Sequence, residues 1–131
     1  MFRAPQITFY SDQLPRLRDF YLGLGFEQGF QHPPDGEPIH VELGLDGFNL
    51  GIADVASARK DHGLSPALSG RAAELVLWCD DTDGEFARLT AAGCASLSAP
   101  HDWLGDLRIA WIADPDGNPI QLVQKVGGGG S

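Results

Sequence analysis

The spacing of apolar and polar residues changes period along the chain, and each change predicts an element. Gln6-Ile7-Thr8-Phe9-Tyr10 alternates and carries β-branched and aromatic residues, which predicts a strand. Ser11 or Asp12 offers an N-cap, and Leu14, Leu17, Phe20, Tyr21 and Leu24 then recur at helical spacing until Gly25, placed as a C′ glycine. Phe26 to Gln31 predicts a short strand and Pro33-Pro34-Asp35-Gly36 a turn. Ile39 to Leu45 and Phe48 to Ala53 predict a hairpin across Asp46-Gly47.

The same order then returns. Glu74 to Cys79 predicts a strand, Asp80 to Thr82 a cap, and a helix follows to Ala92, with Gly93 ending it. A short strand is expected around Ala95 to Ser98, then a loop holding Pro100-His101-Asp102-Trp103-Leu104-Gly105. Leu107 to Ala113 and Pro119 to Gln124 predict strands joined by Asp114-Pro115-Asp116-Gly117-Asn118. Gln6 and Glu74, and Gly25 and Gly93, stand 68 positions apart; Asp46-Gly47 and Asp116-Gly117, and Gly51 and Gln121, stand 70 apart. Such a constant offset predicts an internal repeat of one βαβββ unit. The boundaries read as module 1 at about 4–54, a Gly-, Ser- and Ala-rich connector at 55–71 and module 2 at about 72–126, one domain over 1–126. Neither half is large enough to bury a core alone, so the two are expected to pack together. Residues 127–131, Gly-Gly-Gly-Gly-Ser, have the composition of a flexible tail, native or a remnant of cloning.

Charge and composition narrow the partners. Hydrophobic residues make up 43% and charged residues 21% of 131, ordinary globular usage. Nine Lys and Arg against eighteen Asp and Glu give a net charge of −9 with no basic cluster, which argues against nucleic acid and against anionic membranes. No apolar run is long enough to span a bilayer, and Met1-Phe2-Arg3-Ala4-Pro5 does not open a signal peptide. Two cysteines, Cys79 and Cys94, are too few for a disulfide scaffold; both are expected as reduced thiols in a cytoplasmic protein. Phosphate-binding glycine loops and a Gly-x-Ser-x-Gly elbow do not occur.

Two stretches carry a family resemblance: Asp19-Phe20-Tyr21-Leu22-Gly23-Leu24-Gly25-Phe26 after the first strand, and Asp114-Pro115-Asp116-Gly117-Asn118-Pro119-Ile120-Gln121-Leu122 near the end. With the repeat, they make the chain from about Ala4 to Lys125 resemble the vicinal oxygen chelate superfamily of glyoxalases, extradiol dioxygenases, fosfomycin-resistance enzymes and bleomycin-resistance proteins. The resemblance implies an α+β fold in which two tandem βαβββ modules form curved mixed sheets around a shared cavity. It also implies a homodimer. In metal-dependent members the ligands come from the first and last strands of each half, which places them here at Gln6, Gly51, Glu74 and Gln121. That set offers one carboxylate, two amides and no side chain at Gly51, so a resident metal or other cofactor is not expected. Mg²⁺ or Mn²⁺ on Gln6, Glu74 and Gln121 is the alternative.

Alternation assigns the remaining cavity positions. With Gln6 facing inward, Thr8 and Tyr10 follow, while Ile7 and Phe9 pack on the helix. With Glu74 inward, Val76 and Trp78 follow, and Cys79 becomes a small buried hydrophobe packed outward. The family pattern adds Ile109 and Trp111 from one half and Asn49 and Gly51 from the other, and the resemblance leaves Trp103 to close the mouth from its loop. His40 and Glu42 share a strand face by period two, and His40 joins the ligand-contacting set; His32 and His62 read as solvated turn or loop residues and His101 as a loop residue near Trp103.

Three functional readings stand at this point. The first is a metal-independent protein resembling bleomycin-resistance proteins, which sequesters an aromatic, cationic antibiotic or metabolite against Trp78 and Trp111, with Glu74 as counter-charge. The second is a glyoxalase-like lyase or dioxygenase with an atypical metal site at Gln6, Glu74 and Gln121; without a metal, Glu74 as general base is the best enzymatic route. The third is a non-catalytic interaction protein of the same fold.

Overall fold

The computed structural model describes Met1 and residues 3–127, so the expected tail lies outside the described residues from position 128 onward. The chain divides into two compact units, residues 1–70 and 71–131. Unit 1 contains β1 (Ile7–Ser11), α1 (Leu14–Gly23), β2 (Glu27–His32), β3 (His40–Leu45), β4 (Phe48–Asp54) and α2 (Val55–His62). Unit 2 contains β5 (Leu75–Trp78), α3 (Thr82–Ala91), β6 (Ser96–Trp103), β7 (Leu107–Ala113) and β8 (Pro119–Lys125). Among the described residues no helix is long and apolar enough to cross a membrane.

Each unit is a four-stranded mixed sheet, ordered β1-β4-β3-β2 and β5-β8-β7-β6. In both, the first strand runs parallel to the last, and the other pairs are antiparallel. The registers match as well: Thr8 stands opposite Gly51 as Val76 stands opposite Gln121. The α+β fold of two βαβββ modules is therefore present, with the repeat visible in hydrogen-bond register.

Period-two alternation decides which face each sheet buries. In β3, Val41 and Leu43 are fully buried while His40 and Glu42 are half-buried on the other side. Leu14, Leu17 and Tyr21 of α1 supply the opposing stripe, and Leu50 and Ile52 of β4 complete it. Tyr21 is wholly buried, with edge-on contacts to Phe20 at 5.1 Å and Phe26 at 5.5 Å. In unit 2, Leu89 of α3 packs over the side of the sheet that carries Ala110, Ile112, Ile120 and Leu122. Burying one such Leu or Ile stabilises by about 1.5–3 kcal/mol, so these stripes fix the sheet faces.

Four details depart from the sequence reading. The 55–71 connector is not all coil. Asp54 accepts hydrogen bonds from the Ser57 amide and hydroxyl, both at 3.0 Å, and nucleates α2, which Gly63 ends in the left-handed region at φ 69°. The loop expected after Ser98 is strand as far as Trp103. Pro100 is tolerated there because β6 is an edge strand and its register shifts between Ser98 and His101. At α1, neither Ser11 nor Asp12 is the cap residue. Gln13 occupies that position with no side-chain cap bond, and the Ser11 hydroxyl accepts from the Gln13 amide at 2.9 Å. Cys79 is half-buried, with its sulfur 3.6 Å from the Thr82 hydroxyl, because β5 stops at Trp78 and the chain turns there toward α3. Both cysteines are free thiols.

The Asp114 turn between β7 and β8 is closed by one carboxylate. Asp114 is 4% exposed. Its Oδ1 accepts from the amides of Asp116 (2.9 Å) and Asn118 (2.8 Å), and its Oδ2 accepts from the Asn118 side-chain amide (2.7 Å). Truncation strands buried donors, which cost more than the lost bonds themselves. Asp114→Ala is expected to lower stability by about 3 kcal/mol in urea unfolding, against less than about 0.5 kcal/mol for Asp35→Ala on an exposed turn. Equal midpoints for the two variants would show that the turn does not carry this load.

Candidate functional site

Each sheet turns its second face away from its α1 or α3 helix, and the residues assigned by alternation lie there. In unit 1, Thr8, Gly51 and Glu42 stand side by side across β1, β4 and β3, and Tyr10, Ala53 and His40 form the next row. Asn49 lies on the same face of β4, opposite Gly44. Gln6 enters just before β1 and reaches across the sheet: its side-chain amide donates to Glu42 Oε2 at 3.4 Å. His40 Nε2 lies 3.2 Å from the same oxygen. A carboxylate in its charged form only accepts, so Nε2 carries the proton in this contact and a neutral His40 keeps Nδ1 as an acceptor. Glu42 is thus the hub of this face. The alternation had already paired it with His40, but nothing in the spacing showed that Gln6 converges on it. Phe30, 48% exposed at the edge of the sheet, stands edge-on to His40 at 6.0 Å.

In unit 2 the corresponding face is aromatic. Trp111, Gln121 and Val76 form one row across β7, β8 and β5, and His101, Ile109, Val123 and Trp78 form the next from β6 to β5. Trp103, opposite Leu107, continues the face; it belongs to β6 and not to a loop. The Trp111 indole N–H donates to Glu74 Oε1 at 3.0 Å, spanning β8 to reach the approach to β5. The His101 ring stacks on Trp111 with centroids 6.2 Å apart and planes 27° from parallel. His101 Nδ1 lies 2.7 Å from the Ala99 carbonyl, which can only accept, so Nδ1 carries the proton and the ring is held in place. His101, read from sequence as a loop residue, is therefore part of this face; the signal for it was its two-residue spacing from Trp103. Ile109 is buried, whereas Val76, Trp78 and Trp103 are 43%, 66% and 54% exposed.

The four positions that the resemblance marks for metal ligands do not suit a divalent ion. Gly51 has no donor, and the space where its side chain would stand is filled: a Cβ there would lie 2.6 Å from Thr8 Oγ1 and 3.3 Å from Thr8 Cβ. The Gln6 amide is directed to Glu42, and one Glu74 oxygen is held by Trp111. Among the described residues no three His, Cys, Asp or Glu side chains gather closely enough to hold a metal ion. One charged donor among four positions is a poor set for a transition metal.

The Cys94 thiol is not an activated nucleophile. Burial pushes the Cys94 thiol up, the Asp114 carboxylate adds to the rise, and Arg88 opposes it, so less thiolate is present than in a free cysteine. Arg108 is held by Asp83 and Asp102, whose hydrogen bonds raise its guanidinium further above the ordinary arginine range.

The closeness of Thr8 to Gly51 makes a quantitative prediction. Gly51→Ala forces Thr8 to move and is expected to destabilise by about 1–3 kcal/mol. Thr8→Ala removes the obstacle, so the double variant is expected to recover most of that loss, with a coupling of about 1 kcal/mol or more in a double-mutant cycle. Additive losses would show that the two residues do not compete for this space.

Comparisons with known proteins agree with this fold. The uncharacterized protein Mb0911c of Mycobacterium bovis is 32% identical over 112 residues, covering 82% of this chain and 74% of that protein. The hypothetical protein SA1046 of S. aureus superposes with a TM-score of 0.77 at 16% identity, covering 95% of each chain. Lactoylglutathione lyase of Agrobacterium tumefaciens superposes with a TM-score of 0.65 at 20% identity, covering 92% of each chain; at such identities both structures speak to the fold alone. The family model described as Glyoxalase/Bleomycin resistance protein/Dioxygenase superfamily matches residues 3–122. A match of that extent, on a chain folded as two βαβββ modules, makes this protein a member of the glyoxalase/bleomycin resistance/dioxygenase superfamily.

Proposed function

We propose that the protein binds a flat, aromatic, cationic small molecule, an antibiotic or a metabolite, and acts by sequestering it, without a metal and without chemistry. The observation that carries this reading is the juxtaposition on unit 2 of the Trp111–Glu74 hydrogen bond with the exposed Trp78. Indole faces stack flat ligands and attract cations, by about 0.5–2 kcal/mol per contact. Glu74 supplies a full negative charge beside them, and its partner is a neutral N–H, so that charge is not cancelled. Gln121, between Trp111 and Val76, offers an amide to orient polar edges of the ligand.

The working form in this reading is a cytoplasmic homodimer. Its support is that β1 and β2, and β5 and β6, are the outer strands of their own sheets, and outer strands invite pairing. The competing reading, a glyoxalase-type lyase or dioxygenase, requires a metal on Gln6, Glu74 and Gln121, a donor set with one charged group.

Tryptophan fluorescence tests the proposal with proflavine as probe. Saturable quenching is expected, weakened at least tenfold, or about 1.4 kcal/mol, by Trp78→Ala and by Trp111→Ala. Glu74→Gln is expected to remove the preference for proflavine over an uncharged tricyclic of the same size. EDTA is expected to leave the affinity unchanged, and light scattering to give the mass of two chains. Unchanged affinity in both tryptophan variants would remove the platform. Mn²⁺-dependent turnover that is lost in Glu74→Gln would put the enzyme first.

A further inference from the structure

A cavity of about 300 Å³ lies within unit 1, lined by residues of that unit alone. Its floor is the row Tyr10, Ala53 and His40 with Thr8 beside it, and α2 forms its opposite wall. Three imidazoles line it, His32 from the end of β2, His40 from β3 and His62 from the end of α2, together with the carboxylates Asp54 and Asp61. The sequence reading had left His32 and His62 as solvated turn or loop residues; the fold brings both to one cavity because α2, unanticipated, turns back over β1 and β4.

The lining decides what the cavity accepts. It contains no lysine and no arginine. Hydrogen-bond acceptors are in surplus. Asp54 uses Oδ2 for the Ser57 amide and hydroxyl, which leaves Oδ1 outside those bonds. With the His40 Nε2–H donating to Glu42, the neutral ring has Nδ1 left to accept. Asp61, exposed at the rim, makes no ion pair or hydrogen bond with another described residue. Ile39, Ala58 and Leu64 give the cavity an apolar side. Three histidines and two carboxylates in one cavity would suggest a metal, but no three of them gather as ligands. The volume is at the lower end of the range of about 300–1,000 Å³ for ligand pockets, which suits a compact guest.

We infer that unit 1 carries a second binding site, between α2 and the sheet, that takes a compact aliphatic ammonium ion. Its N–H groups meet Asp61, Asp54 Oδ1 and His40 Nδ1, and its short carbon chain lies on Ile39 and Leu64. Its lining comes from unit 1 alone, so mutation is expected to separate it from the tryptophan platform.

Two-dimensional NMR titration of the full chain tests it with butylammonium chloride as probe. Saturable shifts are expected at residues of β1, β4 and α2, with affinity at least tenfold weaker in Asp61→Asn and weaker again with His40→Phe. Tetramethylammonium, which has no N–H donor, and butyrate, which has the opposite charge, are expected to give no saturable shift at those residues. Trp78→Ala is expected to leave butylammonium affinity unchanged. The inference is overturned if butylammonium shifts do not saturate, if Asp61→Asn binds as tightly as the parent, if tetramethylammonium or butyrate binds equally, or if the shifts vanish in Trp78→Ala.

Discussion

The structure depends on a mismatch between sheet and helix. Each unit places one helix, α1 or α3, against a four-stranded sheet that has two faces. The parallel pairing of first and last strands requires a crossover, and the helix lies in that crossover. The helix buries the face bearing Val41, Leu43, Leu50 and Ile52 in unit 1, and its counterpart in unit 2. Residues on the other face are thereby released from serving their own helix, and period-two alternation lets them vary without touching that core. The tryptophan platform, the Glu42 hub and the floor of the unit 1 cavity stand on those second faces.

The repeat shows how far such freedom goes. In unit 1 the residue entering the first strand, Gln6, donates across the sheet to Glu42, which stands opposite Gly51. In unit 2 the residue entering the first strand, Glu74, accepts across the sheet from Trp111, which stands opposite Gln121. The two hydrogen bonds occupy the same place in the same topology with donor and acceptor exchanged. The exchange works because each bond needs only one acceptor and one N–H at positions the register brings together. It also ties up Gln6 and Glu74, the residues that stand where metal-dependent relatives place ligands. Gly51 adds to this: its missing side chain gives room to Thr8, not to an ion.

What the sequence made legible follows from the range of each interaction. Alternation and the 68- and 70-residue offsets are local patterns, and from them came the strands, their faces and the matched halves. The placement of Trp78, Trp111 and Glu74 on one face needed only parity and a register. Less legible were features set by single side chains. The α2 helix hangs on the bonds of Asp54 to Ser57, in a stretch whose Gly and Ser content reads as coil. The extension of β6 through Pro100 depends on its position at a sheet edge, a tertiary fact. His32 and His62 lie 30 positions apart and meet one cavity only because α2 exists. Glu42 was half visible: its partner His40 is two residues away, but its partner Gln6 is 36 away.

Charge placement gives the two faces a common character. The positive side chains of Arg88, Arg108 and Lys125 are engaged by Glu85, by Asp83 and Asp102, and by Asp106. These pairs lie at exposed or partly exposed positions, where such contacts contribute about 0–1 kcal/mol, and their main effect is to occupy the cations. The carboxylates on the second faces have different partners. Glu74 is held by an indole, and Glu42 by an amide and an imidazole. A neutral donor fixes a carboxylate's position without cancelling its charge, so a chain of net charge −9 keeps negative charge on the sheet faces turned away from α1 and α3. A cation arriving at either face meets oriented carboxylates whose partners it does not have to displace. An anion meets the same charges with no lysine or arginine in the unit 1 cavity to offset them. The proposed preference of both faces for cations therefore rests on which partners the carboxylates were given, and not on net charge alone.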